Sequence, residues 1–125
     1  MGILDFFWRR KQIDRVIVTD DSVTRIRPDG VQESVRWDDL VEVGILTTDE
    51  GPWSEDVFWL LLASDLKSGC AVPQGAEGAN KLLEALQTLP EFDNEAVIKA
   101  MGSSSNAKFV CWRKYAQPGH AADRQ

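Results

Sequence analysis

Apolar and polar residues alternate from Val31 to Trp37: Val31, Glu33, Val35 and Trp37 share one side, Gln32, Ser34 and Arg36 the other. A period of two predicts a half-buried strand, with Glu33 as the polar exception near an edge. Shorter strands are predicted upstream at Asp14 to Thr19, with Val16 and Val18 on one face, and at Val23 to Arg27. Asp20-Asp21-Ser22 and Pro28-Asp29-Gly30 are the turns between them, since Pro presets φ and Gly supplies φ > 0. Downstream, Leu40 to Leu46 predicts a fourth strand with Val41, Val43 and Ile45 inward. Val57 to Ala63 is apolar on both faces, which places it at the centre of a sheet, covered on both sides. Cys70 to Val72 is a short sixth strand stopped by Pro73.

The period then changes. Ala79, Leu82, Leu83, Leu86 and Leu89 recur at helical spacing and predict an amphipathic helix ended by Pro90. Asp93 or Asn94 can cap a second, short helix to Met101, with Val97, Ile98 and Met101 as its apolar side. A polar Gly102–Asn106 loop leads to a last alternating strand, Lys108 to Lys114. The fold expectation is α+β: a strongly bent antiparallel sheet or β-roll of about six to seven strands, packed by one long amphipathic helix and a short second one. The division expected is an N-terminal lead over 1–12, one domain over 13–115 and a disordered tail over 116–125. In the lead, Phe6, Phe7 and Trp8 precede Arg9, Arg10 and Lys11. Docking on the domain or fraying is expected there; contact with a membrane surface is the alternative.

Composition narrows the function. At 125 residues, 43% hydrophobic and 27% charged, the chain has the size and make-up of a globular domain. The net charge of −6 disfavours nucleic acid and anionic membranes, both of which select basic surfaces. The basic run follows the apolar N-terminal run, the reverse of a secretory signal, and Phe6 breaks the myristoylation pattern. No stretch approaches the roughly 18 apolar residues of a membrane span, so no stable membrane insertion and a cytoplasmic location are expected. Cys70 and Cys111 are read as buried, reduced thiols.

Candidate chemistry is sparse. The one histidine, His120, lies in the predicted tail, where catalytic geometry cannot be held. Neither cysteine has zinc-ligand spacing. The acidic pairs Asp20-Asp21, Asp38-Asp39, Asp49-Glu50 and Glu55-Asp56 sit at strand ends and in loops, where Asp ordinarily bonds nearby backbone N–H groups. Gly75 and Gly78 precede a helix, but no Gly-Lys-Ser/Thr follows and Glu77 would repel phosphate. Catalytic residues, metal and cofactor are therefore all expected to be none. Trp53, in the loop with Asp49, Glu50, Glu55 and Asp56, has the make-up of a binding hot spot or of a cap over the sheet end.

Two segments carry a resemblance. Gly51-Pro-Trp-x-x-Asp-x-Phe-Trp59 and Leu86-Gln-x-Leu-Pro-x-Phe-Asp93 resemble the wording of a family of short, uncharacterised proteobacterial proteins. The strand order, with Trp37-Asp-Asp-Leu40 leading into the fourth strand, looks like the PH-like (pleckstrin-homology-like) β-roll. The resemblance spans roughly 13–114 and implies the roll; a second helix and a late strand follow where a PH-like domain would end. The reading that results is a non-enzymatic, cytoplasmic protein-interaction domain with a protein partner, contacted through Asp49, Glu50, Trp53, Glu55 and Asp56. Its sharpest version is an immunity-type protein masking a basic toxin site. The alternative is a small-molecule or lipid-binding PH-like module.

Overall fold

In the computed structural model, which describes residues 13–49, 57–65 and 67–114, the strands divide into two antiparallel sheets. The first has the order β1-β2-β3: β1 (Arg15–Val18), β2 (Ser22–Ile26) and β3 (Gln32–Arg36). Its inward rows, set by register, are Val16 with Arg25 and Glu33, and Val18 with Val23 and Val35. The second sheet has the order β6-β5-β4-β7: β4 (Leu40–Thr47), β5 (Val57–Ala63), β6 (Gly69–Pro73) and β7 (Ala107–Arg113). A 3-10 turn, Trp37–Asp39, links the sheets.

This arrangement corrects the expectation of one bent sheet or a PH-like β-roll. A roll needs β3 to pair with β4, but β4 is bonded to β5 on one edge and β7 on the other. No edge is left for β3. The late strand, read from its alternation, thus takes the place that the roll requires.

The sheets are joined by side chains. Ala71 of the edge strand β6 has both of its backbone groups taken from the first sheet. Its N–H donates to Glu33 Oε1 at 3.1 Å, and its carbonyl accepts from Arg25 Nη1 at 2.7 Å. Arg25 also donates to Asp14 Oδ1 at 2.8 Å and to Glu33 Oε2 at 3.4 Å, so the guanidinium and both carboxylates are mutually compensated. The Cys70 thiol donates to the Glu33 carbonyl at 3.2 Å. Beneath this clasp one apolar core runs through both sheets, including Val16, Val23, Val35, Val43, Ile45, Trp59, Leu61 and Val72.

Helix α1 is Ala79–Leu86, with Leu82 and Leu86 fully buried. It is shorter than the predicted run to Leu89, so the long amphipathic helix becomes an eight-residue one. The reason lies in Pro90, which disfavours helical backbone at the residue before it. The chain tightens into i→i+3 bonds, Thr88 N to Ala85 O and Leu89 N to Leu86 O, and the Thr88 hydroxyl also donates to the Ala85 carbonyl. At the helix start Gly78 has φ +94°, and a Cβ there would lie 2.4 Å from the Val16 carbonyl oxygen. Only glycine allows α1 to begin this close to β1.

Helix α2 is Asn94–Met101, capped by Asp93, whose Oδ1 accepts from Ala96 N at 3.1 Å. Its buried side is Ala96 and Ala100, while Ile98 is 71% exposed and Met101 also faces outward. Of the predicted apolar side, Val97 packs against the core, while Ile98 and Met101 are turned outward. The Asp93 N–H bond to the Cys111 carbonyl holds the helix start against β7, and small alanines let the helix backbone approach the strand.

Glu42 on β4 is half-buried between Lys108 Nζ (2.8 Å) and Arg113 Nε (3.0 Å) of β7. Burial pushes its carboxyl up, but the hydrogen bonds and charges of these two cations together outweigh that and hold it below the ordinary value of 4.5. A depressed folded-state value stabilises above the unfolded value and is lost as pH falls through the folded one. Glu42→Gln is therefore expected to be less stable than the parent by about 1–2 kcal/mol at pH 7. The gap should close progressively below pH 4.5 in urea titrations run across pH. A gap that holds constant or widens in acid contradicts this assignment.

Candidate functional site

The structure brings two of the acidic pairs to either side of one tryptophan. Asp20-Asp21 form the β1–β2 turn, and Asp38-Asp39 follow Trp37 in the 3-10 turn. Sixteen residues apart in sequence, Asp21 and Trp37 are locked to each other's surroundings by two bonds: Trp37 N–H donates to the Asp21 carbonyl at 3.0 Å, and Trp37 Nε1 donates to the Thr19 carbonyl at 2.8 Å. All four aspartates are exposed, and Trp37 is half-buried. The tryptophan expected in the core thus packs on it from the rim. β3 ends at Arg36, and the turn aims the indole along the sheet end.

Trp37 forms one wall of a groove of about 480 Å³, lined also by Val18, Thr19, Asp20, Ala85, Thr88 and Leu89. Val18 to Asp20 come from the end of β1 and its turn; Ala85, Thr88 and Leu89 come from the last turn of α1 and the tightened turn after it. Neither hydroxyl of the groove is positioned as a nucleophile. Thr19 Oγ1 accepts from the N–H groups of Asp21 and Ser22, and Thr88 Oγ1 donates to the Ala85 carbonyl. An indole and aliphatic wall with a carboxylate at its mouth favours an apolar group carrying a cation.

The acidic character continues past the groove. Asp39 Oδ1 accepts from the Ser64 hydroxyl at 2.6 Å, so the β5–β6 turn belongs to the same end. There, bonds from the Ser68 N–H and hydroxyl and from the Lys67 N–H hold the Asp65 carboxyl down to about 2. Cations at this end are Arg36, Lys67 and Lys114, whose ammonium donates to the Asp38 carbonyl at 3.0 Å.

Of the residues expected from sequence to make the contact surface, Asp49 is exposed, with its N–H donating to Asn106 Oδ1 at 3.2 Å. Glu50, Trp53, Glu55 and Asp56 lie outside the described residues, as do the 1–12 lead, the predicted tail and His120. The sequence does not announce the Trp37 site, because each acidic pair has a sufficient local role in its own turn. The available signal was Trp37 closing an alternating strand directly before Asp38-Asp39, the same juxtaposition of indole and acids that marks Trp53.

The thiols of Cys70 and Cys111 are free and buried, and burial pushes both up to about 11, which leaves them protonated and poor nucleophiles. Among the described residues no group of three His, Cys, Asp or Glu is arranged to hold a metal ion, and no helix is long and apolar enough to cross a membrane. No family model matches the chain, nor does any curated protein or solved structure.

A second, smaller cleft of about 280 Å³ is lined by Pro90, Glu91, Asp93, Val110, Cys111, Trp112, Arg113 and Lys114. Its rim is a turn closed by Phe92 N–H to the Leu89 carbonyl, with Pro90 second and Glu91 third at φ +61°. That is a type II turn, whose third position favours glycine. Glu91→Gly is expected to relieve about 1 kcal/mol of backbone strain. Calorimetry should then show the melting point raised by a few degrees. A lower melting point would mean that the Glu91 side chain contributes more than its backbone costs.

Proposed function

We propose that this protein is a non-enzymatic protein-interaction domain that binds a basic partner through the acidic-rimmed Trp37 groove. The observation that carries the reading is the pairing of Asp20-Asp21 and Asp38-Asp39 around one half-buried indole, fixed by the two Trp37 hydrogen bonds. Tryptophan supplies contact area on a rigid ring, and carboxylates around it steer a cationic partner and reject an anionic one. The chain's net charge of −6 adds to that steering. In the sharpest form of this reading the partner is a toxin whose basic active site is masked, making the chain an immunity-type protein. The kinship with the family of short proteobacterial proteins is a separate proposal, supported by the Gly51–Trp59 and Leu86–Asp93 segments.

The test is capture from the native host with zero-length carbodiimide cross-linking, which joins a carboxylate to a partner's lysine. Four chains are compared: the parent, Asp20→Lys with Asp21→Lys, Thr88→Arg inside the groove, and Gln32→Lys on the remote edge of β3. The parent and Gln32→Lys should retain the same protein. Each of the other two should lose it by at least about tenfold, equivalent to 1.4 kcal/mol or more, with unchanged melting points. Equal retention by all four, or no retained protein, refutes the reading.

The volume of the groove supports a second reading, a small-molecule or lipid-binding module, since ligand sites occupy roughly 300–1,000 Å³. A compound that binds only the folded chain raises its melting point. Such a shift, lost in Thr88→Arg while no protein is captured, would favour this alternative.

A further inference from the structure

Two antiparallel sheets present four edges, and among the described residues three of them are met by other parts of the chain. On β1 the Val16 N–H donates to the Glu77 carbonyl at 2.8 Å, and the Asp14 carbonyl accepts from the Glu77 N–H at 2.9 Å. On β6 the Ala71 N–H and carbonyl are held by Glu33 and Arg25. On β7 the Cys111 carbonyl accepts from the Asp93 N–H at the start of α2. The fourth edge, that of β3, is open. The Arg27 N–H donates to the Val31 carbonyl at one end of the β2–β3 ladder, and the Trp37 N–H to the Asp21 carbonyl at the other. Antiparallel pairs alternate, so Val31, Glu33, Val35 and Trp37 turn their backbone groups to β2, while Gln32, Ser34 and Arg36 turn theirs off the edge. All three are exposed, and no described residue bonds to those backbone groups. Sheet edges are ordinarily blunted by proline, lysine, a bulge or an inward charge. β3 has neither proline nor lysine, its register with β2 is unbroken, and its inward charge, Glu33, is compensated by Arg25.

We infer that this edge pairs with the β3 edge of a second copy of the chain, antiparallel about a two-fold axis through Ser34. The order of side chains selects this occupant and this register. With Ser34 on the axis, Gln32 of each copy lies opposite Arg36 of the other, and each opposed pair exchanges both of its N–H···O bonds. Only a small hydroxyl side chain meets its own image, and each guanidinium meets an amide. Centring the axis on Arg36 would oppose two guanidinium groups, and centring it on Gln32 would leave Arg36 without a strand partner. The other walls of the Trp37 groove come from the end of β1, its turn and α1, across β2 from this edge. The pairing therefore leaves one groove open on each copy, and a dimer presents two to a partner.

Sedimentation equilibrium of the full chain over roughly 10 μM to 1 mM, the range of weak protein pairs, tests the pairing. The average mass should climb from 14.0 kDa toward twice that value. Gln32→Glu sets a carboxylate opposite Arg36 at both ends of the paired strands and should tighten the association at least about threefold. Gln32→Lys opposes two cations and should weaken it by at least about as much. Both signs are the reverse of what net charge alone would give, since Glu makes the chain more negative and Lys less. Under mild oxidation Ser34→Cys should form a disulfide-linked dimer, because residues facing each other across such an axis lie about 5.5 Å apart at Cα. Thr24→Cys, one strand further in, should not. Cys70 and Cys111 are buried and do not compete. A mass that stays at 14.0 kDa to the highest concentration overturns the inference. Association that the two Gln32 variants leave unchanged, or shift in the direction of net charge, overturns it as well, and so does a Ser34→Cys chain that links no better than Thr24→Cys.

Discussion

Arg25 is the residue on which the two sheets' mutual position depends. Among the described residues no backbone ladder crosses between the sheets, so their relative placement rests on the shared apolar core and on the polar clasp. Apolar burial is non-directional and tolerates sliding. A guanidinium that must reach Asp14, Glu33 and the Ala71 carbonyl together does not. The clasp also answers the problem of an exposed sheet edge, because Ala71 on β6 has its N–H and carbonyl occupied by Glu33 and Arg25. Removing one member leaves part-buried partners, 14–23% exposed, short of a hydrogen bond.

The candidate site takes its geometry from the first sheet and the helix packed beside it. Gly78 lets α1 start against the Val16 carbonyl, so the helix runs beside β1 and delivers Ala85, Thr88 and Leu89 opposite Val18 and Trp37. The β1–β2 turn supplies Asp20 and the 3-10 turn after β3 supplies the indole; α1 and the turn after it, between β6 and β7, supply the facing wall. Both walls are tied to the first sheet: Val16 N–H donates to the Glu77 carbonyl at 2.8 Å and Glu77 N–H to the Asp14 carbonyl at 2.9 Å just ahead of α1. The function proposed for the groove therefore depends on an interaction outside it.

Much of the secondary structure was legible from residue pattern. The period-two run ending at Trp37, the apolar strand Val57–Ala63, the capping Asp93 and the late strand all stand where alternation, composition and capping chemistry put them. Periodicity marks faces and does not name partners. Nothing local in β4 announces that both of its edges are used, and that fact alone turns an expected roll into two sheets. The buried face of α2 departs from the expected one at Ile98 and Met101 for a related reason. Ile98 and Met101 are more apolar than Ala96 and Ala100, but the bond from Asp93 N–H to Cys111 brings the helix too near β7 for large side chains. The acidic site was invisible because its two halves lie apart in sequence and each has a sufficient local explanation.

The central claim is that Arg25 and Glu33 act as a unit in fixing the sheets. A double-mutant cycle of Arg25→Met and Glu33→Met, read by urea unfolding at neutral pH, tests it most directly. Each single change should destabilise by about 2–3 kcal/mol, since each removes charge-assisted hydrogen bonds, although Arg25 keeps Asp14 and Glu33 keeps Arg27 as a partner. The double variant should recover part of that loss, giving a coupling of at least about 1.5 kcal/mol. Additivity within about 0.5 kcal/mol would show that the two side chains act independently and that the apolar core alone sets the arrangement.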